Sequence, residues 1–202
     1  MADSTLSSSK ARRRQTKEQS GSTLRRVVAF PSVLGWISAV LSGPAANPLL
    51  HQLSLGHTSR GKALAALDPR LVREATSVAA DRFLAVAFER YASGRPEQLS
   101  RFRLAESATT LFARRVLDAC RRIPYGQTRS YAQLAAAAGS PGAARAVGTV
   151  MAKNKFPLII PCHRVVGSQG KLGGFSAPGG LEMKQRILDL ENRADLPASK
   201  PR

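Results

Sequence analysis

The sequence predicts an α+β / α/β chain in two parts, a small N-terminal α/β unit followed by a unit built around a helix-turn-helix. Strand-like apolar text precedes a helical stripe in the first half, and two short helical patterns meet at Gly139 in the second. At 202 residues and 43% hydrophobic content, the chain is long enough to bury one core of ordinary size or two modest ones. The predicted division is a basic tail over 1–24, an N-terminal domain over 25–104, a C-terminal domain over 105–192 and a flexible tail over 193–202.

Residues 1–24 are rich in Ser, Thr, Lys and Arg and nearly lack large apolar groups, so they cannot offset the entropy of ordering and are expected to be disordered. Ser32 to Ser42 reads as a strand. A second begins at Leu49, with Leu49, Leu53 and Leu55 on one face, Gln52 and Ser54 on the other, and GPAANP as the turn between the strands. His51 lies on the apolar side and reads as a packed histidine. Asp68 and Pro69 open a long helix whose stripe is Ala75, Ala79, Phe83, Val86 and Ala87, and Gly94 with Pro96 ends it. Ser107 or Thr109 caps the next helix, where Phe112, Val116 and Cys120 recur at helical spacing and turn Cys120 toward the core as a small hydrophobe.

IPYGQT at Ile123 to Thr128 is a turn, followed by a helix from Ser130 through Tyr131, Leu134, Ala135 and Ala138 to a left-handed stop at Gly139. Ser140 is a natural N-cap for the second helix, with Pro141 at its first position. On that helix Ala143, Val147, Val150 and Met151 make the buried stripe, so Arg145 projects to the opposite side. Its neighbours Ala144, Ala146 and Gly148 are small, which lets a nucleic-acid backbone come close while one long cation reaches inward.

Charge supports such a partner. The formal net charge is +18, and residues 105–202 alone hold 15 basic against 6 acidic groups, so a folded basic surface is expected in addition to the tail. Val27 to Leu41 after Arg25 and Arg26 imitates a secretory signal, but Pro31, Gly35, Trp36 and Ser38 interrupt it. No apolar run reaches the roughly 20 residues that span a bilayer. Two cysteines cannot build a disulfide scaffold, and with three histidines at no metal spacing they make no zinc site. Reduced, cytoplasmic chemistry is expected, nuclear in a eukaryote.

One of those cysteines, Cys162, stands between Pro161 and His163 at the end of the apolar run PLII, read as a buried strand or extended segment. A free thiol is mostly protonated at neutral pH, so something must ionise it. Neighbouring side chains in an extended segment point apart, so His163 would need a bridging water or a bend after Pro161 to reach Cys162. Leu181, Lys184, Leu188 and Glu191 fall on one helical stripe, which turns Glu191 inward as a candidate to orient His163.

The segments IPYGQTRSYAQLA, GSPGAARAVGTVMAKN, LIIPCHRVVGSQGKLGGFS and GGLEMKQRILDLE together resemble the O6-alkylguanine-DNA alkyltransferase family, also called methylated-DNA–protein-cysteine methyltransferases. The resemblance implies a ribonuclease-H-like N-terminal domain and a winged-helix-like C-terminal domain. It also implies one irreversible reaction per molecule, in which Cys162 takes the alkyl group from O6 of guanine in duplex DNA. On the same basis His163 and Glu191 form a water-bridged relay, Tyr131 donates a proton to the departing guanine, and Asn154 supports the turn near the cysteine. Arg145 enters the duplex through the minor groove in place of the flipped nucleotide, with Ala144, Gly148, Ser140 and Arg129 on the DNA face. Tyr131, Phe175, Ser176 and Val165 form the pocket. Phe175 stands where many members have Tyr, and Ala177 and Pro178 lengthen the loop that follows. The resemblance implies no cofactor, no metal and a monomer acting on double-stranded DNA. A lesion-binding protein without chemistry and a helix-turn-helix regulator are the competing classes.

Overall fold

The computed structural model describes residues 24–194 except 74, 79–80, 96–98, 100 and 107–109. The expectations for both tails beyond those limits, and for Ala79, Pro96, Ser107 and Thr109, lie outside the described residues.

An antiparallel meander of three strands forms the body of the main sheet. β1 (Arg26–Ser32) turns back as β2 (Gly35–Ser42) through Val33 and Leu34, with Ser32 opposite Gly35. Gly35 has φ +91°, and a Cβ there would lie 2.9 Å from the His57 carbonyl oxygen, so the turn requires glycine. The predicted strand from Ser32 to Ser42 is therefore corrected to start at Gly35, and the signal-like text before it is a strand of its own. β1 shows no alternation because it is covered on both faces: Val28 and Phe30 pack in the main core, while Val27 packs with Val40 and Leu67 on the other side.

β3 (Leu49–His57) pairs antiparallel with β2, but Val40 faces Gln52 while Leu41 faces Leu50, leaving His51 as the extra residue of a bulge. The bulge changes the face, so Leu50 joins Leu53 and Leu55 in the core where Leu49 was expected. His51 is half-buried, with Nε2 2.8 Å from Ser42 Oγ. β4 (Thr76–Ser77) and β5 (Arg103–Leu104) add in parallel at the edges, giving the order β4-β1-β2-β3-β5.

The expected long helix after Asp68 is broken. Asp68 caps only α2 (Pro69–Val72), which follows α1 (Arg60–Ala65), and the chain then pairs with β1 through Thr76 N to Arg25 O and Val78 N to Val27 O. A second cap, Asp81, accepts from Leu84 N at 3.0 Å and starts α3 (Arg82–Ala92), which ends at Gly94 with φ +74°. The buried row of α3 is Leu84, Ala87, Phe88 and Tyr91.

α4 (Leu111–Arg121) is capped by Thr110, whose Oγ1 accepts from Ala113 N, and it buries Val116, Ala119 and Cys120. α5 (Tyr131–Ala137) opens with a capping box between Ser130 and Gln133 and stops at Gly139, φ +76°. The Ser140 cap is corrected: Gly142 at φ +87° breaks the chain after Pro141, Ser140 O accepts from Ala143 N in a turn, and α6 (Ala144–Ala152) begins with no side-chain cap.

α7 (Gly180–Ala194) closes the fold. Its buried row is Met183, Lys184, Ile187 and Glu191; Leu188 is half-buried, and Leu181 is 47% exposed rather than inward. One buried cluster runs without a break from Val28 in β1 to Ile187 in α7. A small parallel pair, β6 (Arg129–Ser130) with β7 (Val165–Val166), ties the start of α5 to the segment just after Cys162.

Candidate active site

Chain geometry at Cys162 is set by the residue before it. Pro161 has φ −78° and ψ +67°, the inverse γ-turn, and Cys162 N donates to Ile160 O at 2.8 Å. The ring of proline holds that φ without cost. Arg164 N then bonds Pro161 O, and Cys162–Arg164 is one turn of 3₁₀ helix. Of the two alternatives, a bridging water or a bend after Pro161, the bend is present. PLII is a turn and not a strand: Ile160 N reaches back to Phe156 O, and Leu158 takes φ +70° while remaining buried. Asn154 holds this turn from both sides, its Nδ2 donating to Ile160 O at 2.8 Å and its Oδ1 accepting from Phe156 N at 3.0 Å.

Cys162 is 7% exposed, and burial pushes its thiol up from the usual range. Against burial stand a hydrogen bond from Asn154, the charge of Lys184, and the backbone N–H groups of Cys162 and His163. The resting thiol is protonated, and these donors await the charge that forms when it is not.

His163 is wholly buried, with Nε2 2.8 Å from Glu191 Oε1. Burial would push the Glu191 carboxyl up, but the hydrogen bonds and charges of His163 and Arg164 bring it down to about 2. An ionised carboxylate only accepts, so His163 Nε2 carries its proton. Burial lowers the pKa of His163, so the ring is neutral and Nδ1 holds the lone pair. Nδ1 is buried and without a hydrogen-bond partner.

Tyr131, the first residue of α5, is half-buried, and burial followed by the neighbouring Cys162 raises its hydroxyl pKa. A Cβ on Gly173 would stand 2.5 Å from the Tyr131 oxygen, so the 173 backbone forms the wall against which the phenol rests. Phe175 and Ser176 line a groove of about 470 Å³ together with Asn154 and Pro157, opposite Leu53 and Ser54 of β3. Val165 is fully buried, and its carbonyl oxygen accepts from Lys184 Nζ at 2.6 Å. Arg145 on α6 and Arg129 in β6 are exposed, Ser140 and Ala144 are half-buried, and Gly148 lies over the Tyr131 ring, where a Cβ would be 3.9 Å from Cε1. Cys162, His163, Glu191, Asn154 and Tyr131 thus come from four separate stretches of chain to one region, and Arg145 is exposed on α6.

Residues 111–193 match the family model described as 6-O-methylguanine DNA methyltransferase, DNA binding domain. A curated relative, the methylated-DNA–protein-cysteine methyltransferase of Mycolicibacterium paratuberculosis, is 52% identical over 82 residues, which are 41% of this chain and 48% of that protein. The chain thus matches about half the length of that relative. Among solved structures, Mycobacterium tuberculosis O6-methylguanine methyltransferase superposes with a TM-score of 0.67 at 30% identity, covering 87% of this chain and 97% of that one. The chain belongs to the O6-methylguanine-DNA methyltransferase family. A structure of the M. tuberculosis protein in complex with DNA matches at 31% identity and a TM-score of 0.63, covering 84% of this chain and 94% of that one. The mixed α/β fold is therefore that of a methyltransferase of this family from the sheet through α7.

Sequence reasoning missed three of the groups that surround the His163–Glu191 pair. Arg164 donates from Nε to both oxygens of Glu191, from Nη2 to Oε1 at 2.7 Å, and from Nη1 to Ile123 O. Its signal was an arginine set in the largely apolar run IIPCHRVV, where a cation needs a buried partner. Gly126, at φ +72°, donates its N–H to Glu191 Oε2 at 3.0 Å. Tyr91 of α3 donates its hydroxyl to Glu191 Oε1. Lys184 was placed on a stripe but given no role; it is buried, 6.0 Å from the Tyr131 ring.

Proposed function

We propose that this protein repairs duplex DNA by moving an alkyl group from O6 of guanine to Cys162, once per molecule. The observation that carries the reading is the buried thiol on a proline-set turn, beside a neutral His163 whose free Nδ1 is its only acceptor. Family membership and the methyltransferase names of the relatives support the same chemistry.

In this reading the thiol proton passes through a water to His163 Nδ1, and the imidazolium that forms is held by ionised Glu191. The thiolate gains the Asn154 donor and the Lys184 charge. As the S–C bond forms and the C–O6 bond breaks, the electron pair stays on the guanine, and Tyr131, whose pKa is raised and which therefore keeps its proton, supplies the proton that neutralises it. The product is a thioether on Cys162.

O6 lies within the stacked duplex, so the guanine must be flipped out at a cost of a few kcal/mol. Exposed Arg145 on α6 takes its place through the minor groove, while Ala144, Ser140 and Arg129 meet the DNA. A net charge of +18 supplies attraction to phosphate without sequence preference. We read residues 25–104 as ribonuclease-H-like and 105–192 as winged-helix-like. Phe175 and Ser176 bound the pocket for the flipped base on the side facing Asn154; the groove they line there contains neither Cys162 nor Tyr131.

The test is label transfer from duplex DNA carrying radiolabelled O6-methylguanine. Up to one equivalent of label should appear on the protein and none on Cys162→Ser. Retained lesion binding with no label in the intact protein would indicate a binder without chemistry, and undiminished transfer to the variant would move the nucleophile elsewhere.

A further inference from the structure

Tyr91 lies in α3, far in sequence from every group assigned to the reaction, yet its hydroxyl ends on the relay carboxylate. Glu191 Oε1 accepts from Tyr91, from His163 Nε2 at 2.8 Å, and from Arg164 Nε at 3.1 Å and Nη2 at 2.7 Å. Oε2 accepts from Gly126 N at 3.0 Å and Arg164 Nε at 2.9 Å. Arg164 and Gly126 therefore already fix where the carboxylate lies. The fourth donor on Oε1 is not needed to aim it.

A carboxylate oxygen divides its charge among its donors, so each further donor weakens its pull on the others. Oε1 is the atom that raises the basicity of His163, and Tyr91 competes with His163 for it. We infer that Tyr91 is a positioning residue that tempers the relay, its hydroxyl limiting how strongly Glu191 draws a proton onto His163 and so keeping Cys162 a thiol until substrate arrives. This rests on the alkyl-transfer reading of the site.

Other charged and titratable groups surround this cluster. Arg164 comes from the turn that carries His163, and Tyr125 from the 123–128 turn packs its ring 5.4 Å from that of Tyr91 and 5.5 Å from the Arg164 guanidinium. Among the described residues, Lys184 of α7 and Cys120 of α4 also act on it, and Arg121 and Arg122 line the same pocket as Tyr91 and Arg164; burial holds the Cys120 thiol protonated throughout the ordinary pH range. Burial, then the charge of Glu191, pushes the Tyr91 hydroxyl well above its ordinary value, so it remains a donor wherever the thiol titrates. Because α3 belongs to the N-terminal part of the chain, this part acts on the chemistry through one hydroxyl.

The experiment follows alkylation of Cys162 by iodoacetamide against pH, read by mass spectrometry on the full chain, with buried Cys120 as the internal control for unfolding. Tyr91→Phe should move the midpoint for Cys162 down by half a pH unit or more, because His163 becomes the stronger base. Glu191→Gln should move it up. Placing 3-fluorotyrosine at position 91 keeps the ring and strengthens the donor, and should move the midpoint up, which keeps the test decisive if Tyr91→Phe folds poorly. A merely structural Tyr91 would change Cys120 protection and overall rate but leave both midpoints in place, and that result overturns the inference. If Glu191→Gln also leaves the midpoint unmoved, the relay itself fails and not Tyr91 alone.

Discussion

Glu191 and Arg164 meet in the interior with three hydrogen bonds between them, Arg164 Nε reaching both carboxylate oxygens and Nη2 donating to Oε1 at 2.7 Å. Both side chains are at least nine-tenths buried. Arg164→Met leaves Glu191 charged with only the neutral donors Tyr91, His163 and Gly126, so it should cost about 3–5 kcal/mol of stability. Urea unfolding measures it, and a loss under about 1 kcal/mol would mean the pair is better hydrated than its burial implies.

Gly173 and Tyr131 offer a separation of chemistry from thiol reactivity. A Cβ at 173 would stand 2.5 Å from the phenol oxygen and 2.8 Å from Cε2, so Gly173→Ala must push the ring aside. Repair of alkylated duplex DNA should fall by roughly tenfold or more, the range in which one general acid contributes. Alkylation of Cys162 by iodoacetamide should change little. Equal loss in both assays would show that the change had disturbed the cysteine turn instead.

Asn154→Ala removes the donor to Ile160 O and leaves the Phe156 N–H unpaired, at a cost of about 1–3 kcal/mol. It also removes a donor that lowers the thiol pKa. The pH midpoint of Cys162 alkylation should therefore rise. A midpoint that stays put while stability drops would confine Asn154 to the turn.

Stability should fall with acid in two stages. Burial lowers the pKa of His163 below its usual 6.5, so the unfolded chain takes up a proton that the folded chain refuses, and stability that is full above about pH 6.5 declines below it. His51 and His57 are lowered in the same direction, chiefly by burial. Glu191, held at about 2 against a usual 4.5, favours the folded state fully above about pH 4.5 and loses that contribution as the pH falls toward 2. Melting temperature between about pH 7 and 5 reads the first stage. A flat profile there would contradict a buried neutral His163.

Arg145 is exposed on α6. Arg145→Ala should slow repair of duplex DNA by one or more orders of magnitude, about the few kcal/mol that flipping costs. Reaction with the free O6-alkylguanine base should be nearly unaffected. Equal losses on both substrates would take Arg145 out of base flipping.

Several elements were legible because local chemistry decides them. The capping text at Ser130 and the left-handed Gly139 mark the ends of α5 in any context, and Cys120 follows the helical period into the core. Pro161 before Cys162 announces a bend, since its ring selects φ near the γ-turn value. Two of the errors come from pairings that local sequence does not show. The helix drawn from Asp68 to Gly94 had helical period and a good cap, yet Thr76 and Val78 pair with the backbone of β1, and a hydrogen-bonded edge outweighs local propensity. The bulge at His51 exchanged Leu49 for Leu50, and no alternation pattern reveals an inserted residue whose partner strand is unknown.

From the sequence alone come the cysteine between Pro161 and His163, the inward Glu191 and the exposed Arg145, because spacing within a turn or helix determines which way neighbouring side chains point. Only the tertiary structure decides what a buried charge meets. Glu191 draws donors from Tyr91, Gly126, His163 and Arg164, residues as many as 100 positions away, and that convergence sets its ionisation and the tautomer of His163. Hydrogen bonds act over about 3 Å, and separation along the chain does not reveal which donors folding will bring within that reach.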